Sequence, residues 1–466
     1  MDRQQRALWV DKMLAEMDLA RPTTYSLPSG RNSAWRVAPA SVLLSPEQTE
    51  VIYGLGNVLR SFYSAADKLY YLGLSEPKYT FVPEYLDKGK PARLVAVSRH
   101  VRFKGVLPLI VRPDLLWTEG GFVATEFDSV PGGLGILAGM ESLYCSLGDN
   151  VPNSTDAFAQ AVKALHKSGI FAIVVSDECA GYRDEMSYLA SELNKRGVKA
   201  HCLRPEQIEI RPDGLFYAEH RISTIYRFFE LFDIDNVPNG WEMIEAATRG
   251  LVKMTPPPKA YLEEKLWFAL IHHPVLKQYW EQSMGVKDFS RLRSLVPLTH
   301  VLDPRPVPPH AVIAGLYVRE QAVNSYLELT NLPRGERSYV LKPSGFSPLA
   351  WGSRGVILGR ELTTRAWGQQ LERALASFEE QPFVLQQYYP SSTESQEFYD
   401  FTSGKLQVFT GKSRYCPYFF NIAKAVISGG MLVTTCPVDK PLIHGMTDAV
   451  MVPAILDPLG MQAQRS

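Results

Sequence analysis

The sequence predicts an α/β protein with two or three lobes, and three observations support this. Between about residues 155 and 250, helical and strand patterns alternate in a βαβ rhythm, which is typical of a small parallel sheet. The last third mixes a helical segment with several short strands. Proline-rich breaks at 253–260 and 302–311 indicate boundaries between folded units.

The individual elements follow in chain order. Apolar residues recur near helical spacing over about residues 3 to 18, which predicts an opening helix that serves packing. The alternating region is predicted as helix TDAFAQAVKALHKSG, strand FAIVVS, helix RDEMSYLASELNKRG, and strands KAHCLRP, IEIRPDGLFY and ISTIYRFF. The last third is predicted as helix TTRAWGQQLERALASFEE and strands SYVLKPSG, GVILG, PFVLQQYY, LQVFT and AVISGG.

Composition narrows the class of protein. The chain has 466 residues, of which 45% are apolar and 21% charged, as in ordinary globular proteins. The 49 basic and 49 acidic residues cancel, so we expect no binding to nucleic acid or to a membrane surface. The charged start and the lack of a long apolar run predict a cytoplasmic protein. Five scattered cysteines without CxxC spacing argue against disulfides and a zinc site, and the oligomeric state is not predicted.

The stretch VRPDLLWTEGGFVATEFDSVPGG, residues 111–133, predicts two strands joined at Glu119-Gly120-Gly121. A three-residue loop centred on Gly120 would place Asp114 opposite Glu126 and Arg112 opposite Asp128, with all four side chains on one face. Opposed like charges destabilise a sheet, whereas a divalent cation such as Mg²⁺ would make three carboxylates favourable. A two-residue turn at Gly120-Gly121 would instead set Phe127 opposite Asp114 and disperse the cluster toward water.

A lysine-bearing strand and the loop after it form a second signal, at 337–359. In SYVLKP, Lys342 points to the same side as Val340, so its ammonium should be partly desolvated and in need of an anion. The loop ends in GSRGV, where glycines let backbone N–H groups approach an anion closely. The combination suits polyphosphate, and a salt-bridged lysine beside an ordinary turn is the alternative. The lack of GxxxxGK[ST] excludes a P-loop.

The apolar strand in PFVLQQYYP ends in amides and tyrosines. Gln386, Gln387 and the backbone of Tyr388 could hydrogen-bond the edge of an adenine. The alternative is a core strand with polar residues at its exit.

This order of lysine strand, glycine loop, helix and amide-bearing strand resembles the ATP-grasp superfamily, and more closely its circularly permuted glutathionylspermidine synthase-like branch. RPD (Arg112, Asp114) and EFD (Glu126, Asp128) are similar to the R-x-D and E-x-N motifs of that branch, with aspartate in place of asparagine. YLEEKLWFALIHHPVLKQYW is similar to its lysine-bearing helix, which nominates Lys265. YVLKP with GSRGV, and LQQYYP, are similar to its phosphate-binding strand and loop and its Q-x-x-x-P hinge. The resemblance covers residues 100–135 and 250–430.

The resemblance implies a circularly permuted ATP-grasp fold with a small Rossmann-like pre-ATP-grasp domain. Residues 1–150 would hold the N-terminal helix and the metal-binding part of the ATP-grasp fold. Residues 151–250 would form the pre-ATP-grasp domain, and residues 251–466 the nucleotide-binding lobes.

The resemblance also implies an ATP- and Mg²⁺-dependent ligase that joins a small-molecule carboxylate to an amine through an acylphosphate. Asp114, Glu126 and Asp128 would ligate Mg²⁺, and Arg112 and Arg354 would stabilise the transferring phosphoryl group. The residues expected to bind ATP are Lys265, Lys342, Ser353, Gly355, Gln386, Gln387 and Tyr388.

Two other functions stay open: a non-catalytic nucleotide-binding or scaffold protein, and a kinase that phosphorylates a small molecule. The loop SGFSPLAWGSRGV is longer than the family's GREG-type turn, and neither an amidase domain nor glutathione-contacting residues can be recognised, so the substrates are not predicted.

Other polar residues have simpler interpretations. His272 and His273 are adjacent, so on a helix they would face opposite ways and serve packing or capping. Arg414 lies among aromatic residues in SRYCPYFF, where we expect packing, and His444 could form a local polar cap or contact substrate. No activating partner is evident for Cys416 or Cys436.

Overall fold

The computed structural model describes residues 1–19, 35–350, 354–401, 403–423, 425–440, 442–443 and 448–456. Contacts divide the chain into two compact units. Unit 1 comprises Met1–Asn57, Leu107–Pro257 and Ser391–Ser466, and unit 2 comprises Val58–Val106 and Pro258–Pro390. The chain therefore passes between the units four times, and the three consecutive domains expected from the sequence stay a prediction.

The described residues form 13 α-helices and 19 strands. The helices are α1 (Arg3–Glu16), α2 (Pro46–Ile52), α3 (Leu55–Gly73), α4 (Phe81–Asp87), α5 (Ala92–Ser98), α6 (Leu134–Ser146), α7 (Ser154–Leu165), α8 (Arg183–Lys195), α9 (Gly240–Arg249), α10 (Trp267–His272), α11 (Lys277–Met284), α12 (Val286–Leu295) and α13 (Thr364–Ala376). The strands are β1 (Val42–Leu43), β2 (Ile110–Thr118), β3 (Gly121–Asp128), β4 (Ile170–Val175), β5 (Ala200–Leu203), β6 (Glu209–Arg211), β7 (Gly214–Tyr217), β8 (His220–Phe228), β9 (Lys253–Thr255), β10 (Thr299–Val301), β11 (Tyr317–Val318), β12 (Gln321–Ala322), β13 (Tyr339–Pro343), β14 (Ile357–Leu358), β15 (Phe383–Gln387), β16 (Thr393–Asp400), β17 (Lys405–Ile422), β18 (Ala425–Pro437) and β19 (Val450–Ile455).

Unit 1 contains a seven-stranded sheet in the order β1-β19-β18-β17-β2-β3, with β16 paired to β17. Only the β1–β19 pair is parallel among these strands. β17 and β18 span 18 and 13 residues, far more than the short strands LQVFT and AVISGG expected from the sequence. The length of β17 lets it pair with β16 near its start and with β2 farther along.

The second sheet of unit 1 has six strands, and the expected parallel pairing is confirmed where β4 pairs with β5 and β8, and β8 with β9. The segment IEIRPDGLFY forms the antiparallel hairpin β6–β7 instead of one strand. Its Pro-Asp-Gly sequence at 212–214 favours a turn. Helix α7 contacts these strands through the ring of Phe158, which meets those of Phe171 and Tyr226. The helix begins where the Asn153 side chain accepts a hydrogen bond from the N–H of Asp156.

Unit 2 contains the antiparallel sheet β10-β15-β13-β14 and the short hairpin β11–β12. One face packs on α13 in a core that includes Leu341, Leu385, Trp367 and Leu371. Burying each of these side chains contributes about 1.5–3 kcal/mol. Since side chains alternate along a strand, Lys342 points to the opposite face.

The segment expected to be one lysine-bearing helix is divided into shorter pieces, α10 and α11, with 3₁₀ turns at Ala260–Glu263 and Pro274–Leu276. Pro274 lacks an N–H and begins the second of these turns, which ends α10 at His272. Among the described helices, none combines the length and the apolar content needed to cross a membrane.

Candidate functional site

The acidic hairpin of unit 1 has the pairing expected from the sequence, Arg112 opposite Asp128 and Asp114 opposite Glu126. The expected three-residue loop is wrong: the turn has two residues, Glu119 and Gly120. The expected register arises because Thr125 is an extra residue in β3, a bulge between the pairs Asp114–Glu126 and Leu115–Ala124.

Arg112 binds both aspartates of the hairpin. Its Nε donates to Asp114 Oδ1 at 2.8 Å and its Nη2 to Asp128 Oδ2 at 3.1 Å. The remaining Nη1 donates to the carbonyl oxygen of Gly132 at 2.9 Å. This arginine therefore compensates the charge that the sequence places on one face of the hairpin.

Asp114 has further partners on β17, which pairs with β2. Arg414 Nη1 donates to Asp114 Oδ2 at 3.0 Å, and the Cys416 thiol donates to Oδ1 at 3.4 Å. Asp114 is 1% exposed, so its carboxylate is a buried ion pair held by two guanidinium groups. A second nitrogen of Arg414, Nε, is buried and has no hydrogen-bond partner in the described part of the chain.

Burial changes the acidity of the groups around this pair. Desolvation raises the pKa of Asp128 above its usual value; Arg112 opposes this, and the nearby charge of Glu126 adds to it. The pKa of the Cys416 thiol is raised to about 12, by burial first and then by Asp114. Cys416 is therefore a neutral hydrogen-bond donor at physiological pH, not a thiolate.

The chemistry of Asp114, Glu126 and Asp128 suits Mg²⁺, which takes oxygen ligands. A carboxylate oxygen that accepts one hydrogen bond keeps a second lone pair for a metal. No group of three or more His, Cys, Asp or Glu side chains within the described ranges is already arranged to hold a metal.

Buried polar side chains of β17 and α8 hydrogen-bond the backbone of the segment that follows the hairpin. Tyr418 donates its hydroxyl to the carbonyl oxygen of Gly132 at 2.6 Å, the same oxygen that Arg112 binds. Glu185 on α8 accepts hydrogen bonds from the N–H groups of Gly133 at 2.9 Å and Gly135 at 3.0 Å, at the start of α6. This carboxylate satisfies backbone donors at a helix N-terminus, where negative charge is favoured.

In unit 2, Lys342 is buried, as the sequence predicts, with 7% of its surface exposed. Its Nζ donates to the side-chain oxygen Oε1 of Gln386 at 2.7 Å. The two residues lie on neighbouring strands, diagonal to each other on one face. The structure thus joins one predicted phosphate-binding residue to one predicted adenine-binding residue.

The loop after β13 is fixed at its first turn by Glu264. This carboxylate accepts hydrogen bonds from Ser344 Oγ at 2.6 Å and from the N–H of Gly345 at 2.9 Å, and it forms an ion pair with Lys90. Both charged side chains are almost fully buried, at 1% exposure for Lys90 and 0% for Glu264. Ser344 and Gly345 are held directly beyond the strand that carries Lys342.

The other predicted nucleotide contacts occupy different positions. Lys265 lies in a turn before α10 and donates to the carbonyl oxygen of Ala350 at 3.4 Å. Arg354 is exposed and Gly355 is buried, with its N–H bonded to Leu349 O at 2.7 Å. Ser353 lies outside the described residues, as does His444.

Gln387 and Tyr388 follow Gln386 at the end of β15. The N–H of Gln387 donates to Leu298 O at 2.8 Å, and the N–H of Tyr388 donates to Ser338 O at 2.9 Å. These backbone N–H groups are therefore satisfied within unit 2. The side-chain oxygen of Gln387 accepts from the Tyr389 hydroxyl at 3.2 Å.

Sequence reasoning missed Arg414, Cys416, Lys90 and Glu264 as parts of these two clusters. Arg414 and Cys416 are two residues apart on one strand, so they share a face, and SRYC carries that signal. Nothing in the sequence states that this face meets Asp114, because the pairing of β17 with β2 joins segments about 300 residues apart.

The fold is similar to that of a solved protein structure. The chain aligns with a glutathione synthetase-like effector, GSS30, from Globodera pallida in its apo form, at a TM-score of 0.59 and 10% identity over 97% of each chain. The two proteins share a fold. A protein of Methylobacillus flagellatus KT, provisionally named a gamma-glutamylcysteine synthetase, aligns at a TM-score of 0.42 and 12% identity, over 80% of this chain and 85% of that one. This similarity is too low to indicate a shared fold. No protein-family model and no curated protein sequence matches this chain.

The shared fold agrees with the mixed α/β architecture. The resemblance to ATP-grasp ligases stays a prediction. The specific branch, the circular permutation and the Rossmann-like domain stay predictions.

Proposed function

We propose that this protein is an ATP- and Mg²⁺-dependent ligase that forms a carbon–nitrogen bond between a small-molecule carboxylate and an amine. The observation that carries the proposal is the ion pair of the buried Asp114 on the acidic hairpin with Arg112 and with Arg414 of β17, in a chain with the fold of a glutathione synthetase-like protein. Buried charges are costly, and a site where charge develops is a reason to keep them together.

The proposed roles follow from the chemistry of each side chain. Asp114, Glu126 and Asp128 would hold Mg²⁺, which when bound neutralises phosphate charge. Lys342 and Lys265 would contact the phosphates, with Ser353 and Gly355 in the loop, and Gln386, Gln387 and Tyr388 would contact the adenine.

The reaction would activate the carboxylate substrate. Its oxygen attacks the γ-phosphorus of ATP, giving an acylphosphate and ADP, and the amine then displaces phosphate to form an amide. Arg112 and Arg354 would stabilise the charge on the transferring group. The protein contributes positioning and charge compensation more than covalent chemistry.

The test is a calorimetric titration with a non-hydrolysable ATP analogue, with and without Mg²⁺. We expect Mg²⁺-dependent binding to the wild type and loss of that dependence in Glu126→Gln/Asp128→Asn. The matched control is Glu47→Gln/Glu50→Gln, which removes two exposed acids of the same unit. ADP release that requires both a carboxylate and an amine would then separate a ligase from a kinase. A wild type that binds no nucleotide would contradict the proposal.

One observation favours a second candidate, a nucleotide-binding protein without turnover. Both oxygens of Asp114 accept hydrogen bonds from arginine, so the ion pair is complete without a metal. This candidate predicts nucleotide binding that is the same with and without Mg²⁺ and unaffected by Glu126→Gln/Asp128→Asn.

A further inference from the structure

Unit 2 contains a cleft of about 940 Å³ at the edge of its four-stranded sheet, between β10, the end of α10 and residues 303–314. Pockets for small molecules typically have volumes of roughly 300–1,000 Å³ and mostly apolar walls. The apolar walls here are formed by Leu298, Ile313, Leu327 and Leu375, with the aromatic rings of Tyr85 and Tyr326.

In the cleft, His300 lies on the opposite face of the sheet from Lys342 and Gln386. The cleft also reaches Thr299, whose hydroxyl is 3.5 Å from Gln386 Nε2. His300 of β10 pairs with Leu385, and Leu385 pairs with Leu341. Paired residues of an antiparallel ladder share a face, and both leucines belong to the core on α13. His300 therefore faces the α13 side, whereas Lys342 and Gln386 point to the other side of the sheet.

Four histidines line the cleft: His310, which is exposed, and the partly buried His272, His273 and His300. Burial lowers the pKa of each of the three partly buried imidazoles, and that of His300 falls to about 4, with the charge of His272 as a second cause. All three are therefore uncharged at neutral pH, and an uncharged imidazole offers one N–H donor and one bare nitrogen acceptor.

Two of these imidazoles have a nitrogen without a partner. His300 Nε2 and His273 Nδ1 are buried and form no hydrogen bond in the described part of the chain. His272 differs, since its Nε2 lies 2.9 Å from the carbonyl oxygen of Val296. Buried polar atoms are normally paired, so two unpaired nitrogens beside one cleft point to a ligand that pairs with them.

The charged groups at the rim are already neutralised. Asp303 accepts hydrogen bonds from Arg305 Nε at 2.9 Å and from the Tyr85 hydroxyl at 2.8 Å. Arg305 also forms an ion pair with Glu84 at 2.5 Å. Asp303 and Arg305 therefore offer no unpaired charge to an ion, and among the described residues no group of three or more His, Cys, Asp and Glu is arranged for a metal.

We propose that this cleft binds an uncharged, planar heteroaromatic molecule that carries a hydrogen-bond donor and an acceptor. Its polar groups pair with His300 Nε2 and His273 Nδ1. Its ring packs among Tyr85 and Tyr326, the latter already in edge contact with the His300 ring at 6.3 Å between centroids. The proposal is independent of the ligase function.

The test uses three probes of nearly equal size: nicotinamide, which is uncharged, nicotinate, an anion, and 1-methylnicotinamide, a cation. Binding is measured by ligand-observed NMR titration, with and without a saturating non-hydrolysable ATP analogue. We expect saturable, millimolar binding of nicotinamide that the analogue does not displace, and at least tenfold weaker binding of both ions. His300→Leu and His273→Leu should each weaken nicotinamide about fivefold, the effect of one hydrogen bond. His220→Leu, at an exposed histidine in unit 1, should change nothing.

Four results would overturn the proposal. They are the absence of saturable nicotinamide binding, equal binding of the charged analogues, displacement by the ATP analogue, and unchanged binding in both histidine variants with wild-type circular dichroism. Two variants are used so that, if one of them does not fold, the other still tests whether a histidine contributes to nicotinamide binding.

Discussion

Asp114 accepts hydrogen bonds from two arginines on different strands, Arg112 on β2 and Arg414 on β17. Asp114→Asn keeps the shape and removes the charge, which leaves Arg414 partly buried without its carboxylate. Breaking a buried pair typically costs about 3–5 kcal/mol. We expect the free energy of unfolding, measured with urea, to fall by about that amount.

The control for this change is Glu119→Gln in the exposed turn of the same hairpin. It should change the free energy of unfolding by less than about 0.5 kcal/mol, as surface substitutions usually do. Equal effects of the two substitutions would mean that the ion pair contributes nothing specific.

Glu185 gives a prediction on pH dependence. Burial raises its pKa to about 7 from 4.5, although the N–H groups of Gly133, Ile136 and Gly135 lower it. Between these values the folded protein retains a proton that the unfolded chain has lost, so the free energy of unfolding falls as pH rises from 4.5 to 7. The contribution is at most roughly 3 kcal/mol.

Urea unfolding at pH 4.5 and pH 7.5 would measure this contribution. Glu185→Gln should flatten the pH dependence, and part of it should remain because burial also raises the pKa of Glu141 to about 7. Glu206→Gln, at an exposed residue, is the control. If the free energy of unfolding depends on pH equally in Glu185→Gln and in the wild type, then Glu185 is ionised in the folded protein and the prediction is wrong.

At this scale the sequence predicts what lies within one hairpin and little beyond it. The alternation of side chains places Arg112, Asp114, Glu126 and Asp128 together, and the structure has that pairing. Arg414 could not be assigned from the sequence, because its contact with Asp114 depends on strand pairing between distant segments.

At the scale of elements, the helices with a clear 3.6-residue repeat were predicted closely. α8 and α13, for example, each lie within the expected segments, and α7 begins one residue before its segment. The strand predicted within β17 ends at residue 410, and Pro417 argues against extending a strand through the remainder, because proline is disfavoured in a strand interior. The ladder accommodates this proline by a register shift between Pro417 and Phe419.

The turn after β13 requires glycine at 345 for steric reasons. A Cβ at Gly345 would lie 2.0 Å from the backbone oxygen of Glu263, and backbone cannot move aside as a flexible side chain can. Gly345→Ala should therefore lower the free energy of unfolding by about 1–3 kcal/mol. If the loop contacts phosphate, the same change should also weaken binding of the ATP analogue.

Gly335→Ala is the matched control in the same unit. A Cβ there meets nothing within 4 Å, and the backbone is not in the left-handed region. Alanine at 335 should leave nucleotide binding unchanged and leave stability unchanged or raise it by about 0.4–1 kcal/mol. Thermal unfolding of both variants, with and without the analogue, distinguishes the steric clash at position 345 from the effect that any glycine-to-alanine substitution has on stability.

At the scale of the whole molecule, unit 2 is assembled from two separate segments, residues 58–106 and 258–390. The first segment supplies buried partners to the second. Asp67 accepts from Lys259 Nζ at 2.5 Å, and Lys90 pairs with Glu264. Composition and periodicity gave no sign of this division, because neither reports which distant segments share a core.

This arrangement predicts which fragment folds. A chain of residues 258–390 alone would bury Lys259 and Glu264 without their counter-charges, at a cost of about 3–5 kcal/mol for each broken pair. We expect it to be unfolded or aggregated. Because Lys259 Nζ donates to the carbonyl oxygen of Val106 at 2.9 Å, the ends of the two segments are close. A Gly-Ser linker of about four residues can therefore join residue 106 to residue 258, since each residue spans at most about 3.6 Å.

The joined chain, 58–106 followed by the linker and 258–390, should be folded and monomeric. Its unfolding, followed by circular dichroism and by tryptophan fluorescence, should show one cooperative transition with coincident midpoints. Asp67→Asn in the joined chain should lower that midpoint, because Lys259 and the hydroxyl of Tyr261 both donate to Asp67 Oδ1. If residues 258–390 fold equally well alone, then the buried pairs with residues 58–106 contribute little, and unit 2 is not a single cooperative body.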